Sequence, residues 1–430
     1  MATQENGKAL VGQTKQSAKL RFFIIGIVSL LFGGVIYVYV IKPTYYPIIE
    51  IAVVCPKTGE DSLSGKELSF GAYLADLKIG KDGRLVRDYN IRIREYDDES
   101  TEDGARRVAL SIASNPHVAA VVGHFTSGNT LAALPIYRIA NLPVIMPIAT
   151  LTSITKNKGF LNAFRMPPSN EIQGQTIVAF AREYLKAKSF FIIRDNTPYA
   201  EDLEFSAKEA LKAHGLVDLG TDIVPRGTQY FKNLSDIISM HDPAADAIIY
   251  FGYSPEAIYL ATQLKSRSGT KIKLLGSDGL YGKRYLGKQE AESTYVAYQV
   301  APMEKLRERP LWKEYCALFE KEQSLLQGDQ GNSVPEGWTS WAFDAVLMAR
   351  EAISKSLENS KVPRSEVVLD IFQRNNQSGP FDFSGALSDY RFVRGKNENT
   401  LGSFFLYEVI GHKYSLVNWV FGENRSLIKK

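Results

Sequence analysis

Two clusters of small hydroxyl residues stand close together in the chain: Thr126-Ser127-Gly128-Asn129-Thr130, and then Thr150, Thr152 and Ser153. Each follows a short apolar run, Val118–Val122 and Pro143–Met146, of the kind that forms buried parallel strands. In an open α/β sheet, ligands bind outside the carboxyl ends of the strands. Two neighbouring strand ends would therefore present hydroxyls and free helix N-terminal amides to one spot, a combination suited to a small anion such as a carboxylate.

Stronger chemical motifs are missing. Gly59–Lys66 (GEDSLSGK) has one residue too many for a phosphate-binding loop, and Glu67 stands where Ser or Thr is required. There is no G-x-G-x-x-G after the first strand and no G-x-S-x-G. The histidines, His117, His124, His214, His241 and His412, show no ligand spacing, so no metal is expected. His124, the one nearest the hydroxyl clusters, suits a structural hydrogen bond. Asp97, Asp98 and Glu99 lie between a strand and a helix, where they suit loop solvation or capping. With no nucleophile–base pair and no cofactor motif, the chain reads as a binder and not an enzyme.

The elements that must position these residues alternate. Ile48–Cys55 reads as a strand, Lys66–Lys78 as a helix, Tyr89–Tyr96 as a strand and Thr101–Ser114 as a helix. A second series begins near Pro167, with strands at Ser189–Arg194, Asp218–Val224, Asp246–Phe251, Lys271–Gly276 and Tyr295–Val300. Helices at Ala200–His214, Phe231–Met240 and Pro255–Ser266 lie between them. Repeated βαβ units predict parallel sheets with right-handed crossovers, and two series predict two lobes. Pro167-Pro168 and Ala301-Pro302 suit crossing points. Helices Leu311–Leu325, Glu336–Leu357 and Ser365–Arg374 come next, then alternating segments that read as antiparallel edge strands.

The chain of 430 residues can bury two full cores. Phe22–Ile41 is an uncharged run long enough to span a bilayer. Lys8, Lys15, Lys19 and Arg21 precede it with only Glu5 opposing, which predicts an N-terminus inside and the rest outside. A cleaved signal peptide would have a shorter apolar core, about 7–15 residues, and a small-residue cleavage site; VYVIKPTYYP offers none. The expectation is a single-pass protein of the cytoplasmic membrane, its binding domain on the periplasmic or extracellular face. Beyond Arg21 the balance is 47 Lys+Arg against 46 Asp+Glu, too near neutral for a nucleic-acid footprint. Cys55 and Cys316 read as two free thiols, with a disulfide unsupported.

In order and spacing, the strings SFGAYLAD, YDDESTEDGARRVA, VVGHFTSGNT, PVIMPIAT, IIRDNTPYAEDL, IIYFGYSPEA, LLGSDGL and GPFDF resemble the leucine/isoleucine/valine-binding protein family, the type I periplasmic solute-binding proteins of ABC importers. The resemblance runs from Ile48 to Phe421. It implies an α/β fold of two doubly wound lobes joined by three hinge crossovers, here preceded by one transmembrane helix. The expected division is 1–21 as cytoplasmic tail, 22–41 as anchor, 48–168 plus 302–402 as the first lobe, and 169–301 plus 403–430 as the second. It also implies that Ser127 and Thr150, with Ile148 beside it, address a ligand carboxylate from the first lobe. Tyr199, Tyr253 and the acid Asp278, which pairs with an ammonium, come from the second.

Ser127 could equally cap a helix, Tyr199 and Tyr253 could pack between lobes, and Asp278 could cap a turn before Gly279. Phe125 and Thr126 replace smaller or sulfur-bearing residues at the side-chain end. Ser100 and Thr126 stand where some members have a cysteine pair, and Trp338 and Trp341 are candidates to line the cleft. The implied function is capture of an amino acid or related zwitterion for an ABC permease in the same membrane. The alternative is a ligand-sensing module that regulates a membrane partner without import.

Overall fold

Long β-branched runs become the inner strands of two sheets. The computed structural model describes residues 46–430 except 157–158, 236–243, 268–270, 327–334, 336, 360–364, 374–379, 394–396, 423–426 and 429–430. The first sheet contains β1 (Ile48–Cys55), β2 (Leu85–Val86), β3 (Tyr89–Asp97), β4 (Val118–Val122), β5 (Val144–Met146) and β6 (Ala163–Arg165), in the order β2-β3-β1-β4-β5-β6. All its pairings are parallel except the short β2–β3 hairpin. Both faces of β1 and β4 are covered, which is why their residues, Glu50 of β1 apart, are apolar and do not alternate.

The second sheet contains β7 (Ser189–Asp195), β8 (Val217–Val224), β9 (Ala247–Phe251), β10 (Lys273–Gly276) and β11 (Tyr295–Tyr298), all parallel. After β12 (Phe381–Ser384) and β13 (Asp389–Phe392) have formed a separate hairpin, β14 (Ser403–Ile410) joins β11 antiparallel. β15 (Lys413–Gly422) and β16 (Leu427–Ile428) extend that edge. The chain thus passes between the sheets after β6, after β11 and before β14. Between the last two passages, helices Trp338–Asn359 and Ser365–Gln373 return to pack on the first sheet.

Among the elements that escaped the sequence reading are β6, the short helix Thr152–Lys156 and the helix Asn170–Glu183. The first two are too short to show a period. The third is buried nearly all round, with Asn170, Gln173 and Thr176 inside, so it lacks the one-sided apolar stripe that marks a surface helix. Half of the expected helix Phe231–Met240, residues 236–240, lies outside the described residues.

The expectation of a single-pass membrane protein is corrected. Among the described residues no helix is long and apolar enough to cross a membrane. The two longest, Ser62–Asp82 and Trp338–Asn359, carry charged residues on the face away from the core. Phe22–Ile41 and the tail before it lie outside the described residues. Cys55 and Cys316 are free thiols, the first buried.

Asp344, fully buried on helix Trp338–Asn359, accepts from the N–H groups of Ala386 (2.6 Å) and Leu387 (2.9 Å) and from the Tyr390 hydroxyl (2.9 Å). Burial pushes its carboxyl up to about 6, against those donors. It ties the β12–β13 hairpin to the first half of the molecule. Asp344→Ala strips three buried donors of their acceptor, and a loss of about 2–4 kcal/mol is expected, read from urea denaturation.

Candidate functional site

The carboxyl ends of β4, β5, β7, β9 and β10 converge on one cavity. Phe125, Ser127, Ile148, Ala149 and Thr150 line it from the first sheet, and Tyr199, Tyr253, Asp278 and Gly279 from the second. Trp338 closes it from the head of helix Trp338–Asn359. Each sheet presents its strand ends where the strand order reverses, β1/β4 in one and β7/β9 in the other, the usual place for a ligand in such sheets. The space is small, about 20 Å³ for the centres of water-sized spheres. That is room for one or two waters.

Seven of the eight residues expected at a ligand site therefore share this cavity. Thr126 does not. It is the N-cap of helix Ser127–Ile139, its hydroxyl accepting from Asn129 N–H at 3.2 Å. Ser127, which could have been the cap, is instead the first helical residue. Its buried Oγ accepts from Leu151 N–H at 3.3 Å and so links the two hydroxyl loops. Of the two tryptophans, Trp338 lines the cavity, edge-on to Phe125 at 5.9 Å, whereas Trp341 packs in the core against Tyr390.

On the other wall Asp278 is buried. The Tyr199 hydroxyl donates to its Oδ1 at 2.5 Å and Gln299 Nε2 to its Oδ2 at 3.4 Å. Ser277 Oγ lies 2.8 Å from the same hydroxyl, and Gly279 N–H donates to it. Burial raises the Asp278 carboxyl, and these donors pull the other way. Burial, then the adjacent Asp278 charge, pushes the Tyr199 phenol well above its ordinary value, so it is a neutral donor. Tyr253 precedes helix Ser254–Lys265 and tilts its ring against Tyr199, centroids 5.6 Å apart. The β9 and β10 loops touch here: a Cβ on Gly279 would come within 2.3 Å of Gly252 O. Only glycine permits that approach, and it is what brings Tyr253 beside Asp278.

Residues behind the walls fix the loops. His124 and Asp98, both buried, are 2.7 Å apart (Nδ1 to Oδ2), the structural bond expected of that histidine. A Cβ on Gly123, whose φ is +135°, would meet Val54 O at 2.4 Å, so glycine is required where the β4 loop crosses β1. Arg165 went unnoticed in the sequence. Fully buried at the end of β6, it donates to Leu151 O at 2.8 Å and pairs with Glu398 at 2.5 Å, holding the Thr150 loop from below. A lone arginine in the apolar string NAFRMPP was the available signal. Ser100 donates to Thr58 O and accepts from Asp61 N–H, pinning the loop after β1.

Residues 48–349, more than half of the chain, match the sequence profile of the periplasmic binding proteins. An amino acid binding protein of Pseudomonas aeruginosa is 24% identical over 322 residues, 74% of this chain and 81% of that one. The Leu/Ile/Val-binding protein of Escherichia coli K12 is 24% identical over 70% of this chain and 85% of its own length. Among solved structures, the branched-chain amino acid transporter substrate binding protein of Streptococcus pneumoniae, in complex with isoleucine, superposes with a TM-score of 0.71. It is 22% identical and covers 86% of this chain and 99% of its own. A solute binding protein of Rhodopseudomonas palustris in complex with 3,4-dihydroxybenzoic acid does so at 0.69, 17% identical, over 89% and 98%.

Tyr199→Phe removes the strongest donor to Asp278, so the carboxyl pKa rises further. A raised carboxyl adds stability below its unfolded value and loses it as pH rises through the folded one. The variant is therefore expected to lose about 1–3 kcal/mol at pH 7 and much less near pH 3, where both states are largely protonated. Urea melts at the two pH values measure it.

Proposed function

Because this chain belongs to the periplasmic binding proteins, in the leucine-binding-protein-like group, we propose that it is the solute receptor of an ABC importer and that its two lobes close on an α-amino acid or a close relative. The lobes are 48–168 plus 302–402 and 169–301 plus 403–430. One observation supports the reading: Ser127 and Thr150 from one lobe and the buried Asp278 from the other line a single cavity. A zwitterion leaving water needs both charges satisfied, or desolvation defeats binding.

Ser127 and Thr150, with the backbone at Ile148, address the ligand carboxylate, and Asp278 addresses its ammonium. Tyr199 and Gln299 hold Asp278 in place for this. Charge-assisted bonds of roughly 1.5–3 kcal/mol each are enough for micromolar affinity, about −8 kcal/mol. Phe125, Ile148, Tyr253 and Trp338 surround the side-chain end. Thr126 supports the helix and takes no direct part.

Purified protein freed of carried-over ligand should melt higher with at least one α-amino acid, since a ligand bound only to the native state raises the melting point. Asp278→Ala and Ser127→Ala should each remove most of the gain. A screen of all common amino acids with no shift counts against the reading. Affinity should also fall on acidification. The ammonium needs an ionised partner, and burial lifts the Asp278 carboxyl, so the loss begins above the ordinary carboxylate range; calorimetry from pH 8 to pH 4 follows it. Trp338→Ala should move the preference toward larger side chains in the same screen.

A further inference from the structure

Two acids and one arginine meet across the cleft, outside the cavity just described. Asp61 and Glu60 belong to the loop after β1, in the first lobe; Arg226 follows β8, in the second. Arg226 donates through Nη2 to Asp61 Oδ1 at 3.0 Å and through Nη1 to Asp61 Oδ2 at 3.3 Å, a two-pronged pairing, and its Nε lies 3.5 Å from Glu60. Both charged side chains are largely out of solvent, 16% and 6% exposed. Each end is fixed from behind: Asp61 N–H donates to Ser100 Oγ, and Arg226 N–H donates to Asn196 Oδ1. The guanidinium also lies over the ring of Tyr253, 4.4 Å from its centroid, and Tyr253 lines the cavity beside Asp278.

We propose that Arg226 is a positioning residue of the ligand site, holding the Tyr253 wall in place by stacking and latching that wall to the opposite lobe through Asp61. The assignment takes from the preceding reading only that the cavity holds the ligand. A planar guanidinium can bond a carboxylate with its edge while offering its face to an aromatic ring, which a lysine cannot do. Breaking a shielded charge pair acts chiefly on dissociation. The latch therefore governs how long the closed form lasts more than how fast ligand enters.

The test uses the full chain with Cys316→Ser and spin labels at Ile139→Cys and Phe205→Cys, positions 81% and 67% exposed on helices of opposite lobes. Asp61→Asn and Arg226→Lys are compared with the unsubstituted protein. Distances between the labels without added amino acid report the closed fraction. Stopped flow with the best amino acid from the screen reports the two rate constants. A smaller closed fraction, or dissociation faster by on the order of tenfold with association little changed, supports the latch. If neither quantity changes in either variant, the proposal is overturned. Should the unsubstituted protein bind no amino acid, the amino-acid reading fails by itself and the closed fraction alone decides the latch.

Discussion

A carboxylate buried between two halves of a protein is the constraint on which this structure turns. Asp278 has almost no contact with water, so it needs donors from the protein, from a ligand, or from both. The protein supplies the Tyr199 hydroxyl as the shortest donor, with the side-chain amides of Gln173 and Gln299 beside it. A cationic group in the cavity that Asp278 lines would relieve the desolvation that a lone carboxylate suffers. The facing wall is made of hydroxyls and not of cations, so it suits the opposite, anionic end of the same small molecule.

Everything around that carboxylate serves to keep the geometry. Strand ends set the loops, and Gly123 and Gly279 let neighbouring backbones approach closer than any side chain would allow. Buried polar groups then fix each loop from beneath. His124–Asp98 does so after β4 and Arg165, paired with Glu398, under Thr150, while the half-buried Ser100 bonds the loop after β1. Such groups are costly unless satisfied and rigid once they are, which is what a site needs if its charges are to be held before the ligand arrives.

The fold by itself does not choose the ligand. Relatives of the same architecture hold isoleucine in one case and a dihydroxybenzoic acid, which has no ammonium, in another. The choice lies in a few side chains. Here those that line the cavity are the acid Asp278 and the apolar Phe125, Ile148 and Trp338. The Arg226–Asp61 pair lies behind this wall, its guanidinium over the ring of Tyr253.

Local pattern made the strands legible in the sequence: β1 and β4 were bounded from their apolar runs, which only Glu50 of β1 interrupts, because a strand buried on both faces needs few polar residues. The hydroxyl loops were legible for the same reason, each sitting at the end of such a run. Asp278, Tyr199 and Tyr253 were identified through family resemblance, since single polar residues in separate loops carry no spacing. The apolar run Phe22–Ile41 suggested a membrane placement that the described helices do not bear out, because hydropathy of one segment says nothing of how the rest is arranged. What only the tertiary structure decided are the long-range partners: Arg165 with Glu398, Tyr199 with Asp278, Arg226 with Asp61. These pairs are 233, 79 and 165 positions apart, so no local period links them. Composition and periodicity determine which elements form; which charges meet depends on how two sheets are brought together.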